Sequence, residues 1–223
     1  MEWILALVFW ICLLGLVHTY LFYPLLLRLL SRGKQANQQV YTPADEWPLV
    51  SLLLSVYNEE KVIEEKLNSI VGLDYPAGKL KVFIGSDCSS DRTNEIVEQY
   101  AAQYGFIHFF PFQQRRGKPG VVNELYDSVV AERGKPPDHL LLVTDASVIL
   151  QPDTLRQLAK HFKNPAIGMV DSHIIHTGMQ QDGISKAENQ YISSEVQLKH
   201  MEGMVWGRMI GPFGGCYAIR TNY

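Results

Sequence analysis

Apolar positions come first in one unbroken block and afterwards in patterns that switch between two periods. Residues Trp3 to Leu27 contain no Asp, Glu, Lys or Arg, and about 25 residues of helix at about 1.5 Å each would cross a bilayer core. One transmembrane helix over residues 1–27 is therefore predicted. The block lacks a basic leader and a small-residue cleavage site, which argues against a cleaved signal peptide. His18 and Pro24 interrupt it, and the histidine reads as a tolerated polar residue near one face. Arg28, Arg32 and Lys34 follow the block while Glu2 precedes it. That asymmetry predicts a single-pass anchor in the cell (inner) membrane with everything downstream in the cytoplasm. Residues 28–48 are polar, carry Pro43 and Pro48 near their end, and read as a juxtamembrane linker.

Beyond the linker, strand-like and helix-like periods alternate. Leu49 to Val56 is a continuous apolar run, and Ile63, Leu67 and Ile70 then follow helical spacing until Gly72 and Pro76. Leu80 to Gly85 predicts a second strand, and Ile96, Val97, Tyr100, Ala101 and Tyr104 mark the inner face of a second helix. Phe106 to Phe110 is a third strand. Val122, Leu125, Tyr126, Val129 and Val130 predict the next helix, and His139 to Thr144 the fourth strand. Leu155, Leu158, Ala159 and Phe162 give a fourth helix, Ile167 to Ile175 a fifth strand, and residues 183–205 a longer mixed helix before a glycine-rich ending. Alternation of this kind implies an α/β fold: a mostly parallel twisted sheet with helices on both faces, Rossmann-like, with ligands along the strand carboxyl ends. No internal repeat and no separate second domain is evident.

Composition narrows the partners. With 47% hydrophobic and 19% charged residues the chain of 223 is globular, and a net charge of −3 without a long basic run argues against nucleic acid. Cys12, Cys88 and Cys216 are odd in number and widely spaced. They match no disulfide or metal pattern, in keeping with a reducing compartment.

The chemistry gathers where strands stop. After the first strand, Asn58 and the glutamates of Tyr57-Asn58-Glu59-Glu60 suit a helix start, while Tyr57 offers a flat ring and Glu59 an acceptor for a nucleobase. After the second, Gly85-Ser86-Asp87-Cys88-Ser89-Ser90-Asp91-Arg92-Thr93 is rich in capping residues, yet Asp87 stands at the strand end, where a carboxylate could accept from a base or ribose. After the third, Arg115-Arg116-Gly117-Lys118-Pro119 sets three cations beside a predicted helix start, an arrangement that fits phosphate or simply an exposed basic turn. The spacing is not that of a P-loop. After the fourth come Asp145 and Ser147, whose hard oxygens suit Mg²⁺ or Mn²⁺ bridging to substrate phosphates. Taken in order, these residues outline a nucleotide diphosphate site.

At this point the chain resembles a family 2 glycosyltransferase of the GT-A fold, from about Leu49 onward. VSLLLSVYNEE is similar to that family's opening strand, SDCSSDRT to its base-reading segment, and RRGKPGVVN, with Asn123, to its Gly-Lys segment. TDAS stands where the family carries Asp-x-Asp, and GPFGGCYAIR resembles its acceptor-side segment. The resemblance implies that Tyr57, Glu59 and Asp87 hold the nucleoside, that Lys118 lies near the diphosphate, and that Asp145 faces the metal and donor sugar. It implies that Gly214, Gly215 and Cys216 border the acceptor. Ser147 departs from the pattern, since a hydroxyl binds a divalent ion less strongly than a carboxylate.

The family's catalytic base is an acidic pair a short distance after the Ala-Ile-Arg segment. The resemblance therefore places the base, and further transmembrane helices, beyond Tyr223, and makes 49–223 a C-terminally incomplete GT-A domain. Asp171, expected mid-strand, and Glu202, expected in a helix, suit the role poorly. The implied activity is a membrane-anchored, metal-dependent inverting transfer from a nucleotide-diphosphate sugar, with uridine diphosphate the first guess, to a glycan or lipid-linked acceptor. This portion would carry the donor-binding half and be inactive alone. A non-catalytic, membrane-tethered nucleotide-binding module is the alternative, motivated by the absent base and the weakened Asp-x-Ser pair. A nucleotidyltransferase would want a glycine-rich basic motif that Ser55 to Glu60 lacks.

Overall fold

A computed structural model describes residues 1–136, 138–175, 184–209, 211–212 and 214–222, with backbone alone over 184–191. The chain forms two compact units, Met1–Gln38 with Ile175–Gly211, and Gln39–Ile174 with Pro212–Tyr223.

In the first unit the apolar block is one helix, α1 (Glu2–Leu30), long and apolar enough to cross a membrane and ending three residues later than the predicted 1–27. A π-helical turn occupies His18–Phe22. It falls just before Pro24, whose missing N–H leaves the carbonyl four residues back without its usual donor. Near the end of α1, Leu27 is fully buried, and the Tyr23 hydroxyl donates to Glu202 Oε1 at 2.7 Å. Lys34 Nζ donates to the Val205 carbonyl at 3.1 Å. Glu202 and Val205 belong to the long helix Ile184–Trp206, α6 in chain order.

The second unit is a six-stranded sheet built from β1 (Leu49–Val56), β2 (Leu80–Asp87), β3 (Ile107–Phe112), β4 (His139–Thr144), β5 (Met169–Asp171) and β6 (Cys216–Arg220). Their spatial order is β3-β2-β1-β4-β6-β5. β1 pairs in parallel with β2 and β4, β2 pairs in parallel with β3, and β6 runs antiparallel to both β4 and β5. The remaining helices are α2 (Ile63–Val71), α3 (Thr93–Gln103), α4 (Gly117–Arg133) and α5 (Thr154–Ala159).

β1 reads as an unbroken apolar run because both of its faces are covered. Leu52, Leu54 and Val56 pack in one core with Ile63, Leu67 and Ile70 of α2, Val97 of α3 and Leu155 and Leu158 of α5. Leu53 packs in another with Phe83 and with Val121, Leu125 and Val129 of α4. The mostly parallel α/β sheet with helices on both faces is thus as expected.

Several details differ from the periodicity. β6 arises within the expected glycine-rich ending, from the short apolar run Cys216 to Ile219, and it pairs with β4 and β5. β5 shrinks to three residues, so Asp171 ends a strand instead of sitting within one. Tyr104 lies just past α3 with extended backbone. Val121, not Val122, is the fully buried residue at the start of α4, and Pro119 is the third residue of that helix. Trp47, within the linker stretch, is 7% exposed and packs with Tyr41 and Tyr75 in the larger core. Phe213 lies outside the described residues.

Gly85 sets how closely α4 approaches the sheet. A Cβ there would lie 2.5 Å from Val121 Cγ1 and 3.0 Å from Phe112 Cε2, both in well-packed positions. Gly85→Ala is therefore expected to overpack this seam and destabilise the protein by about 1–3 kcal/mol. Chemical denaturation of the two proteins checks this, and an unchanged midpoint would contradict the seam.

Candidate active site

The parallel register brings the ends of β1 and β2 side by side, with Val56 opposite Ser86. The two following loops are then laced together. The Asn58 amide donates to Ser89 Oγ at 3.1 Å, and its side-chain Oδ1 accepts from the Ser90 amide at 2.8 Å. The Glu59 amide donates to Thr93 Oγ1 at 2.8 Å, the Glu60 amide to Asp91 Oδ2 at 3.1 Å, and the Arg92 amide to Glu60 Oε2 at 3.2 Å. Asp91 also accepts from the Thr93 amide through Oδ1 at 3.0 Å, serving the start of α3. Asn58 adopts a left-handed φ of 54°, which its short amide tolerates. The capping and the functional readings of these loops therefore coexist: one set of side chains and amides braces the loops, and Tyr57 and Glu59 stand on the result.

Asp87 ends β2 at 2% exposure. Its carboxylate accepts from the Arg116 amide at 2.6 Å, the Gly117 amide at 3.0 Å and Arg115 Nε at 3.1 Å. It thereby fixes the turn into α4, where Gly117 has a φ of 71° that favours glycine. The Arg115 guanidinium also lies over the Tyr57 ring, 3.5 Å from its centroid. Arg115, which the sequence pattern offered only as one of three cations, thus touches two of the expected nucleoside residues. Arg116 pairs with Glu124 and lies over the Phe112 ring.

The third cation, Lys118, is ion-paired with Asp145 across the site. Asp145 follows β4, half-exposed, and its amide donates to the Gly215 carbonyl at 2.9 Å. Thr144 stands opposite Cys216 in the β4–β6 register, so the expected acceptor-side segment does lie beside Asp145. Within it, Gly214 has open space at its Cβ position, whereas a side chain on Gly215 would run into Ile174 and Val148. Cys216 is buried, and burial pushes its thiol above the ordinary range against the pull of Lys66. Ser147 is exposed on the same loop as Asp145.

Burial, and then the nearby carboxylates of Asp91 and Asp145, raise the Glu59 carboxyl above its ordinary value. The site is thus crowded with acidic oxygens at its centre and ringed by Arg115, Arg116 and Lys118. Lys66 went unremarked in the sequence pattern. It is fully buried in α2, and Nζ donates to Thr144 Oγ1 at 2.9 Å and to the Val148 carbonyl at 2.5 Å. Burial pulls its amine down to about 8, opposed by Cys216 and Asp145. The available signal was its place three residues after Ile63 and one before Leu67, on the apolar face of α2.

Among the described residues no group of three His, Cys, Asp or Glu side chains could hold a metal alone. A carboxylate with a neighbouring hydroxyl does suit Mg²⁺ or Mn²⁺ that takes its remaining ligands from phosphate and water. The set therefore fits an ion that arrives with a diphosphate.

The model of the family described as "Glycosyl transferase family 2" matches residues 51–220. A beta-monoglucosyldiacylglycerol synthase of Trichormus variabilis is 29% identical over 162 residues, 72% of this chain and 33% of that protein. A poly-beta-1,6-N-acetyl-D-glucosamine synthase of Staphylococcus epidermidis is 30% identical over 122 residues, 54% of this chain and 27% of that protein. The chain thus covers a third or less of either relative. A mannosyltransferase from Pyrobaculum calidifontis, solved with GDP-Man and Mn²⁺, superposes with a TM-score of 0.68 at 24% identity, over 93% of this chain and 55% of that one. That likeness is one of fold.

Asp91 joins the two loops through a single carboxylate. Burial raises it, but the bonds from Thr93 and Glu60 outweigh burial and hold it below its ordinary value. Asp91→Ala is expected to cost about 1–2 kcal/mol at neutral pH. A carboxyl lowered in the folded state stabilises fully above its unfolded value and loses that contribution as pH falls through the folded one. The difference between variant and wild type should therefore narrow in acid, which denaturation series at neutral pH and below about pH 4 would read out.

Proposed function

The chain belongs to glycosyl transferase family 2, and from that premise we propose that it carries the donor site of a membrane-anchored, inverting glycosyltransferase that uses a nucleotide-diphosphate sugar. The observation that carries this reading is the convergence of Tyr57, Glu59, Asp87, Lys118 and Asp145 at neighbouring strand ends, with Lys118 already reaching Asp145. A helix fit to cross a bilayer, with Arg28 in its last turn and Arg32 and Lys34 just beyond it, supports an anchor with the catalytic unit cytoplasmic. The relatives' names, a glycolipid synthase and a polysaccharide synthase, support a glycan or lipid acceptor.

In this reading the nucleobase stacks on Tyr57, taking the face that Arg115 covers. Asp87 has all three of its donors in place, so it reads the base by exchanging the Arg115 bond, the one made by a mobile side chain. The displaced guanidinium stays within reach of the phosphates. Lys118, now paired with Asp145, would turn to the diphosphate, and Asp145, with Ser147 as weaker partner, would hold the divalent ion. When bound, that ion neutralises charge on the leaving diphosphate. Gly214, with open space at its Cβ position, borders the acceptor. None of the described residues is assigned the role of base.

Uridine diphosphate is the first ligand to test. Full-length protein in detergent should gain thermal stability with uridine diphosphate and Mn²⁺ together, because a ligand that binds only the folded state raises its stability. Asp145→Ala should reduce the Mn²⁺-dependent affinity by about tenfold or more. Equal nucleotide affinity in wild type and variant would overturn the assignment. Binding without sugar transfer by the whole protein would favour the non-catalytic module.

A further inference from the structure

A lysine with no exposed surface is costly unless its ammonium has a specific task. Lys66 has no solvent exposure, and its two acceptors bracket one short loop. Thr144 is the last residue of β4 and Val148 closes the turn that begins at Asp145, so a single Nζ spans the segment holding both Asp145 and Ser147. The turn has its own bond from the Val148 amide to the Asp145 carbonyl, at 3.2 Å. A second tie runs from α2 to the same loop. Ser69 Oγ donates to the Lys66 carbonyl at 2.7 Å and accepts from the Leu150 amide at 3.3 Å. Ala146 is 3% exposed, so the turn is seated on the core on its inner side. The Lys66 ammonium also senses the Asp145 carboxylate, which together with Cys216 opposes the effect of burial on it.

We propose that Lys66 is a positioning residue for the divalent ion: it clamps the Thr144–Val148 turn from below, so that Asp145 and Ser147 present their oxygens outward together. The inference rests on the nucleotide-sugar reading above. Lys118 serves the ligand-free site from the solvent side, whereas Lys66 serves the same carboxylate from within and never meets the ligand. Its effect should therefore appear in the binding of metal with nucleotide, and not in the binding of nucleotide alone.

Lys66→Met keeps the apolar stem and removes both donors and the charge. In full-length protein in detergent, titrations of uridine diphosphate with and without Mn²⁺ should show the Mn²⁺-dependent gain in affinity falling by about tenfold or more. Metal-free affinity should stay within about twofold, since no contact to the nucleoside is lost. Thr144→Val, which deletes one acceptor at nearly constant shape, should lower the same gain by a smaller factor, and it carries the test if Lys66→Met does not fold. In ligand-free Lys66→Met, amide exchange over Asp145–Val148 should speed up while that of β2 stays unchanged. An undiminished Mn²⁺-dependent gain in folded variants would overturn the proposal, as would equal losses with and without metal. A wild-type protein with no Mn²⁺-dependent gain would instead overturn the nucleotide-sugar reading, and this inference with it.

Discussion

Parallel pairing of β1 with β2 and β4 is the constraint on which the rest of the structure depends. Parallel strands must end on the same edge, so each loop that leaves that edge delivers its polar residues to one place. Register then fixes the spacing: Val56 lies beside Ser86 and Leu54 beside Thr144. Asp87 and Asp145 stand one residue beyond those pairs, on either side of the Tyr57 loop. Both faces of β1 are buried, so a slip of register would carry large apolar side chains away from their partners. The site's geometry is therefore held by the core, and the loops add only local bracing.

That bracing combines backbone amides held by side-chain oxygens with two ion pairs, Asp87 with Arg115 and Asp145 with Lys118. Asp87 holds Arg115 and two amides, Asp145 holds Lys118, and Lys66 stands behind the Asp145 turn. Each exposed pair has one partner on a long side chain and one on a strand end. A ligand of matching charge can take over the long partner without moving the sheet. The exchange trades one ion pair for another in a partly shielded place, where leaving either carboxylate bare would be costly. Glu59, raised by burial and by its acidic neighbours, records how much negative charge is already crowded there.

Much of this was legible in the chain. Long apolar runs such as Leu49 to Val56 and His139 to Thr144 announce buried strands, and polar residues directly behind them announce the site edge. What escaped was context. Cys216 to Arg220 becomes a strand because β4 offers it an edge, and its apolar run of four residues is too short by itself to separate strand from helix. Asp171 ends its strand because β5 keeps only the pairs that β6 supplies. Lys66 escaped for a different reason: a lysine in a helix is ordinarily read as solvated, and only its position among Ile63, Leu67 and Ile70 contradicts that. The partners of Arg115 could not be read either, since Tyr57 and Asp87 lie 58 and 28 residues away in the chain.

Ser147 gains meaning in this setting. An aspartate there would add a negative charge two residues from Asp145, and Lys118 alone could not offset both. With a neutral hydroxyl, Lys118 has only Asp145 to offset on this loop. The same economy weakens any grip on a free divalent ion, since one carboxylate and one hydroxyl leave most of its coordination to other oxygens. In the proposed reading a diphosphate would supply those oxygens and at the same time draw Lys118 off Asp145. Metal and nucleotide would then each remove an obstacle to the other, through Ser147 and Lys118.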